Sequence, residues 1–345
     1  MMKKLKNFSF KNFIVENKLK LLFLILPSIL IFYFGNYALL ITFLSVFSVL
    51  ENSSFQIFGT FLSSNKENSF YKIFLFIVLI FIAVLFFEWN INNGRLDFGR
   101  LTNFDYNPYV GLKALTAPLL LFFLTYKKIP VSTTFVLLSG FMTKHTVDTM
   151  LAKTATSYLV SFIFGYYIWY ILDKRFKDKI TKFDEKDTNF WKNIQILSNI
   201  VLIVMWITSN NGNLIVSLPR NFTISSFLLY LSFCAITIAY IILSKGGKMQ
   251  KSIIDAKKGL NNPKTGSIIN MVFSSIILAF QFISTTPIAT TWAFIGLLSG
   301  REFALSMKKH GSVNKITILK ILKDLSVLIY GLIVTFIYIF VIRWV

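Results

Sequence analysis

The strongest constraint on this chain is a set of long apolar runs, among them Ile73–Trp89, Phe222–Leu243 and Leu325–Ile342. They approach or reach the roughly 20 residues that cross a bilayer as a helix. Apolar segments fall at 20–35, 37–62, 71–89, 109–126, 130–143, 151–172, 192–218, 222–243, 265–283, 287–300 and 325–342. Hydrocarbon offers the backbone no hydrogen-bond partners, so segments of this kind fold as helices with their own bonds closed. The expected class is an all-α polytopic membrane protein, and the hydrophilic remainder is too short for a sizeable soluble domain. A net charge of +21, carried mainly by lysine outside the apolar runs, reads as topology and contact with anionic lipid rather than as nucleic-acid binding. Cys234, His145 and His310 show no metal spacing, so neither a metal nor another cofactor is expected.

Residues 1–36 form a lysine-rich start and a first span. No small-residue cleavage site follows it, and the expectation is an uncleaved span with its N-terminus in the cytoplasm of a bacterial cell (inner) membrane. The charged stretch 173–191 then divides the chain into two units, 37–172 and 192–345. Each contains an opening segment, two spans, a short segment and a closing span. The loop Asn90–Pro108 balances Arg95 and Arg100 against Asp97 and Asp105. Its counterpart carries Lys245, Lys248, Lys251, Lys257, Lys258 and Lys264 against Asp255. Equivalent loops of opposite bias belong on opposite sides of a membrane. The pattern therefore predicts two inverted repeats of about five transmembrane segments, with broken or half helices at 130–143 and 287–300, plus one N-terminal span.

Those two short segments open alike, with Pro130-Val-Ser-Thr-Thr-Phe135 and Pro287-Ile-Ala-Thr-Thr-Trp292. Proline suits the first position of a helix, and hydroxyl side chains suit its unpaired N–H groups. A helix that starts inside a membrane aims those groups and a positive dipole end at whatever lies ahead, which is how transporters build anion sites. The competing reading is an ordinary span whose Ser and Thr bond back to their own helix. Ser132, Thr133, Thr134, Thr290 and Thr291, joined by Asn52 and Asn211 and by Ser284, Thr285 and Thr286 just before Pro287, supply donors suited to an oxyanion.

These motifs resemble the inorganic phosphate transporter (PiT) family, whose members carry a P-x-S-T-T-H stretch in each of two inverted halves. Here Phe135 and Trp292 stand at the family's histidine. The family's other signature, G-A-N-D-V-A-N-x-x-G-[TP], is similar to Glu51-Asn-Ser-Ser-Phe-Gln-Ile-Phe-Gly-Thr60 and falls in the second half at Asn210-Asn-Gly-Asn-Leu-Ile-Val-Ser-Leu-Pro219. In that alignment Asn52 and Asn211 match the first asparagine, Ser53 and Gly212 replace the aspartate, and Gln56 and Ile215 replace the second asparagine. The resemblance implies secondary transport of phosphate, or of sulfate, coupled to Na⁺ or H⁺, with no enzymatic activity. Missing aspartates make it a degenerate member.

Glu51 interrupts the apolar run Tyr37–Leu50. An ionisable residue there is costly and therefore suspect. With Gln56 and Asn210 it forms the expected cation or proton coupling group, against the plainer reading of a residue at a membrane edge. Arg220 faces either an anion or the interface. Arg301 and Glu302 are expected to pair, Lys144 and His145 to lie at the surface, and Glu88 in an interfacial belt. The partners expected are an inorganic anion and lipid, and a homodimer is an allowed assembly. Two other classes stay open. One is a structural or assembly subunit; the other is a membrane transferase acting on a lipid-linked substrate, for which no acid–base cluster is visible.

Overall fold

The computed structural model describes residues 18–33, 35–102, 112–138, 144–176, 188–257, 259–283 and 288–344. A π-helical turn, Leu21–Ile25, leads into α1 (Leu26–Tyr33). Then follow α2 (Tyr37–Ile57), α3 (Gly59–Ser64), α4 (Phe70–Ile91), α5 (Leu112–Tyr126), α6 (Thr133–Leu138) and α7 (Lys144–Phe176). The second half holds α8 (Thr188–Ile215), α9 (Ile224–Leu243), α10 (Gly247–Ile253), α11 (Pro263–Ile283), α12 (Thr290–His310) and α13 (Lys315–Trp344). Among the described residues seven helices are long and apolar enough to cross a membrane. The chain is an integral, multi-pass, all-α membrane protein.

Two kinds of helix make the bundle. Of α4 only Ile73, Ile77, Phe81, Leu85 and Glu88 are buried, a single stripe at helical spacing. The rest of its apolar surface is left for lipid. Central α2 is buried on all sides from Leu40 to Ile57 except at Leu44, although it carries Ser45, Ser48, Glu51, Asn52, Ser53, Ser54 and Gln56. A polar helix in that position must find its partners inside the protein. It breaks at Phe58, where the carboxamide of Gln250 donates to Gly59 O at 2.7 Å. A Cβ on Gly59 would come within 2.8 Å of that side chain.

The packing exchanges when the halves are exchanged. Helix α2 packs on α5 and α9, while α8 packs on α11 and α4; α2 also meets α8, and α4 meets α9. Likewise α12 lies on α7, and α6 touches α13. Small residues permit the closest of these contacts: Gly296 and Gly300 of α12 rest on the backbone carbonyls of Tyr158 and Phe162, and Gly165 of α7 rests on that of Leu297. The equivalent loops lie at opposite ends of α4. Lys66, just before that helix, pairs with Asp255 at 3.7 Å, whereas Arg95, just after it, bridges to Asn221.

Three expectations change. The segment 287–300 is not a half-helix, because α12 runs 21 residues to His310. It continues past Gly300 because Arg301, 1% exposed, pairs with Glu302 at 2.6 Å and lies 5.5 Å from the Trp169 ring. Nor does Pro130 occupy the first helical position, since the chain stays non-helical through Ser132 and α6 begins at Thr133. The first span is interrupted by its π-helical turn.

Candidate functional site

Helices α6 and α12 begin face to face. Thr134 of α6 donates through Oγ1 to the carbonyl of Ile288 at 3.5 Å, and Thr291 of α12 donates to the carbonyl of Val131 at 3.1 Å. Pro130 to Pro287 is a separation of 157 residues, and the same step relates Thr134 to Thr291 and Val131 to Ile288. Each threonine therefore ties its helix to the non-helical residues that lead into the other. Ser132 Oγ caps α6 by accepting from Phe135 N–H at 3.3 Å. Ser132, Thr133, Thr134, Thr290 and Thr291 are all buried. Both threonine hydroxyls of the exchange are spent on protein, so the side-chain competition expected for membrane threonines is part of what builds this junction.

The opening helices supply the next layer. Asn213 Nδ2 of α8 donates to Thr134 Oγ1 at 3.0 Å, and Gln56 Nε2 of α2 donates to Thr291 Oγ1 at 3.4 Å. Gln56 and Asn213 are again 157 residues apart. This register corrects the alignment of Asn52 with Asn211. It puts Ser53 opposite Asn210, and Gln56 opposite Asn213. Asn210 binds on the second side only: its Oδ1 accepts from Thr290 Oγ1 at 3.4 Å and from Asn213 Nδ2 at 3.5 Å, and its Nδ2 donates to Trp206 O at 3.1 Å. Ser53 is too short to repeat that bridge, and its Oγ makes no hydrogen bond among the described residues.

Proton accounting then gives the character of the site. Each threonine proton goes to a backbone carbonyl, so its oxygen lone pair takes the amide N–H of Gln56 or Asn213. The amides are thereby oriented, and among the described residues Gln56 Oε1 and Asn213 Oδ1 are left as buried acceptors without donors. Such an atom costs about 1–3 kcal/mol unless something brings it a donor or a positive charge. Asn52 Oδ1 is in the same condition.

Other expected residues lie elsewhere. Asn52 donates to Thr125 Oγ1 at 2.9 Å, and Asn211 donates to Leu96 O at 2.7 Å while accepting from Tyr230. These amides hold α5, α9 and the loop after α4, and neither contributes a hydrogen bond to the two facing helix starts. Glu51 also points away, toward Tyr240, whose hydroxyl donates to it at 3.2 Å, and toward Lys20 at 3.5 Å. Arg220 donates to Val216 O of its own turn at 3.3 Å. Glu88 is buried and accepts from Phe98 N–H at 3.1 Å. Ser284, Thr285, Thr286 and Pro287, and the side chains of Lys144, His145 and His310, lie outside the described residues. Phe135 and Trp292 sit at the family's histidine and pack on Phe336 of α13 and Tyr158 of α7, again as exchanged partners. Asn213 is the residue sequence reasoning passed over.

Among known structures the chain is similar to one described as "The sodium-dependent phosphate transporter", with a TM-score of 0.58 and 15% identity over 88% of this chain and 95% of that one. The likeness is one of fold. Comparison with family-level descriptions and with curated proteins finds no match.

Proposed function

We propose that this chain is a secondary transporter, not an enzyme, that moves a small inorganic oxyanion by alternating access about the junction of α6 and α12. One observation carries the reading: the reciprocal bonds Thr134–Ile288 and Thr291–Val131, which set two helix N-termini against each other in the buried centre. Each helix start is the positive end of its dipole, with Phe135 N–H of α6 taken by Ser132 Oγ and Thr290 and Trp292 N–H of α12 taken by the carbonyls of Ile288 and Ala289. Two of them can hold an anion without a lysine or arginine. Thr133 and Ser132 add hydroxyls beside Thr290, whose own proton goes to Asn210 Oδ1, and Ser284, Thr285 and Thr286 precede α12 in sequence. Phosphate is the first candidate, sulfate the second, supported by the fold's likeness to a phosphate transporter.

Coupling would fall to the acceptor oxygens. Carboxamides do not titrate near neutral pH, so Gln56 Oε1 and Asn213 Oδ1, with Ser53 and Asn210 nearby, suit Na⁺ better than H⁺. We place the N-terminus and the basic loop 245–264 on the cytoplasmic side, from their excess of lysine.

Counterflow of radiolabelled phosphate and sulfate in proteoliposomes, with Na⁺ or choline outside, tests the proposal. Phosphate counterflow that needs Na⁺ is expected. Neither anion exchanging, from protein that remains folded, would return the chain to a structural or assembly role.

A further inference from the structure

Lys20 is the lysine that sequence alone would send to water. Lys18 on the same segment, Lys127 and Lys128 at the end of α5, and Lys245 at the end of α9 are all exposed. The side chain of Lys20 is only 10% exposed, and its ammonium lies 3.5 Å from Glu51 Oε1, whose side chain is 3% exposed. The same ammonium sits 4.8 Å from the ring centroid of Phe122 and 5.5 Å from that of Tyr126. Tyr240 donates its hydroxyl to Glu51 at 3.2 Å, and a Cβ on Gly247 would lie 3.8 Å from the same carboxylate oxygen. A carboxylate and two ring faces thus surround one positive charge, with Tyr240 holding the carboxylate, a composition suited to a monovalent cation.

Two further facts concern how that charge is held. The ion pair is long for a charge-assisted hydrogen bond, which normally falls near 2.7–2.9 Å, and Lys20 Nζ donates no hydrogen bond among the described residues. The pair also stands outside the repeat. Moving 157 residues from Glu51 reaches Thr208, a neutral residue, and the segment that carries Lys20 precedes both repeated units. The extra carboxylate and the extra helix come together.

We propose that Glu51, held by Tyr240, together with Phe122 and Tyr126 forms a seat for a monovalent cation, and that the chain fills it with its own ammonium, Lys20. The N-terminal segment is then more than a membrane anchor: it supplies a tethered cation, and the seat accepts a free alkali or alkylammonium ion only when that ammonium is removed. This site is separate from the α6–α12 junction and does not depend on the anion reading.

The test uses full-length protein purified in detergent without phosphate, melted in NaCl, KCl, propylammonium chloride or choline chloride at equal ionic strength. Lys20→Ala should melt about 5–10 °C below the parent in choline, because it leaves a buried carboxylate uncompensated. Propylammonium, and Na⁺ or K⁺, should recover most of that loss. Lys20→Ala with Glu51→Gln should melt close to the parent and show no such recovery. Any Na⁺ bound at the central amides shifts every variant alike, so the difference between variants isolates this seat. A Lys20→Ala protein as stable in choline as the parent, or one that no small cation restores, would overturn the proposal. Should Lys20→Ala not fold, Glu51→Gln decides. It must be less stable than the double variant, and a double variant no better than Glu51→Gln overturns the pairing.

Discussion

The two halves make the same junction and then part company one helical turn away. In the second half Asn210 reaches both Thr290 and Asn213 and anchors itself to Trp206 O, so the start of α12 is tied to α8 by a closed set of bonds. In the first half Ser53 stands where Asn210 stands, and its hydroxyl finds no partner among the described residues. The helices differ in the same direction: α12 is 21 residues long and lies along α7, whereas α6 has six. One side of the site is a fixed wall, and the other keeps its hydrogen-bonding capacity in hand. That asymmetry suits a site in which one half holds position while the other responds to cargo.

Breaking what the halves share should have the largest effect. Thr134→Ala with Thr291→Ala removes both reciprocal bonds and leaves two amides without acceptors. At about 1–3 kcal/mol for each side, the pair should lose at least about thirtyfold in phosphate affinity, read by equilibrium binding. Exchanging what differs comes next. Asn210→Ser should make the second half resemble the first and destabilise it by about 1–3 kcal/mol in thermal melts, from its lost buried bonds. Ser53→Asn should give the first half its missing bridge, raising the melting temperature while lowering the exchange rate. A Ser53→Asn protein that transports faster would contradict the asymmetry. Coupling should be more even. Gln56→Leu and Asn213→Leu are expected to weaken Na⁺ dependence of phosphate uptake by similar factors, and dependence lost in one alone would place the cation on that side.

The smallest effect is peripheral. In the loop after α4, burial pushes the Asp97 carboxyl up, but the Arg95 guanidinium, bonded through two nitrogens at 2.9 Å, and the Leu101 N–H hold it below the usual range. A depressed folded pKa gives stability that is present above the unfolded value near 3.9 and is lost as pH falls through the folded one. Asp97→Asn should therefore cost about 1–3 kcal/mol at neutral pH, and the gap from the parent should shrink below about pH 4.

Much of this was legible in the chain because membrane physics leaves few choices. Apolar length predicted the helices, and lysine asymmetry anticipated the opposite ends of α4 on which the equivalent loops lie. The two Pro-Thr-Thr stretches marked the junction before any coordinates were known. The misreadings came from weighing residue identity over spacing. Asn52 and Asn211 look alike, so they set the register 159 residues apart and put Gln56 opposite Ile215. Holding to the 157 residues between Pro130 and Pro287 would have placed Gln56 opposite Asn213 and Ser53 opposite Asn210. Gly300-Arg301-Glu302 read as a helix end because charge normally marks one, and only the burial of Arg301 over Trp169 shows otherwise. The partner of Glu51 could not be read at all. It is contributed by Lys20 from a segment outside the repeat, and sequence distance carries no hint of that contact.

The central claim is that the facing starts of α6 and α12 hold an oxyanion, and titration calorimetry of phosphate into purified protein in Na⁺ tests it most directly. Thr133 adjoins the junction without making its reciprocal bonds, so Thr133→Ala probes the ligand more than the lock, whereas Thr290→Ala also removes the bond to Asn210 Oδ1. A hydroxyl bonded to a charged ligand is worth about 1.5–3 kcal/mol. Each variant should therefore bind roughly tenfold to a hundredfold more weakly than the parent. Parent affinity in both variants, in protein that melts normally, would make the junction a packing element and contradict the account.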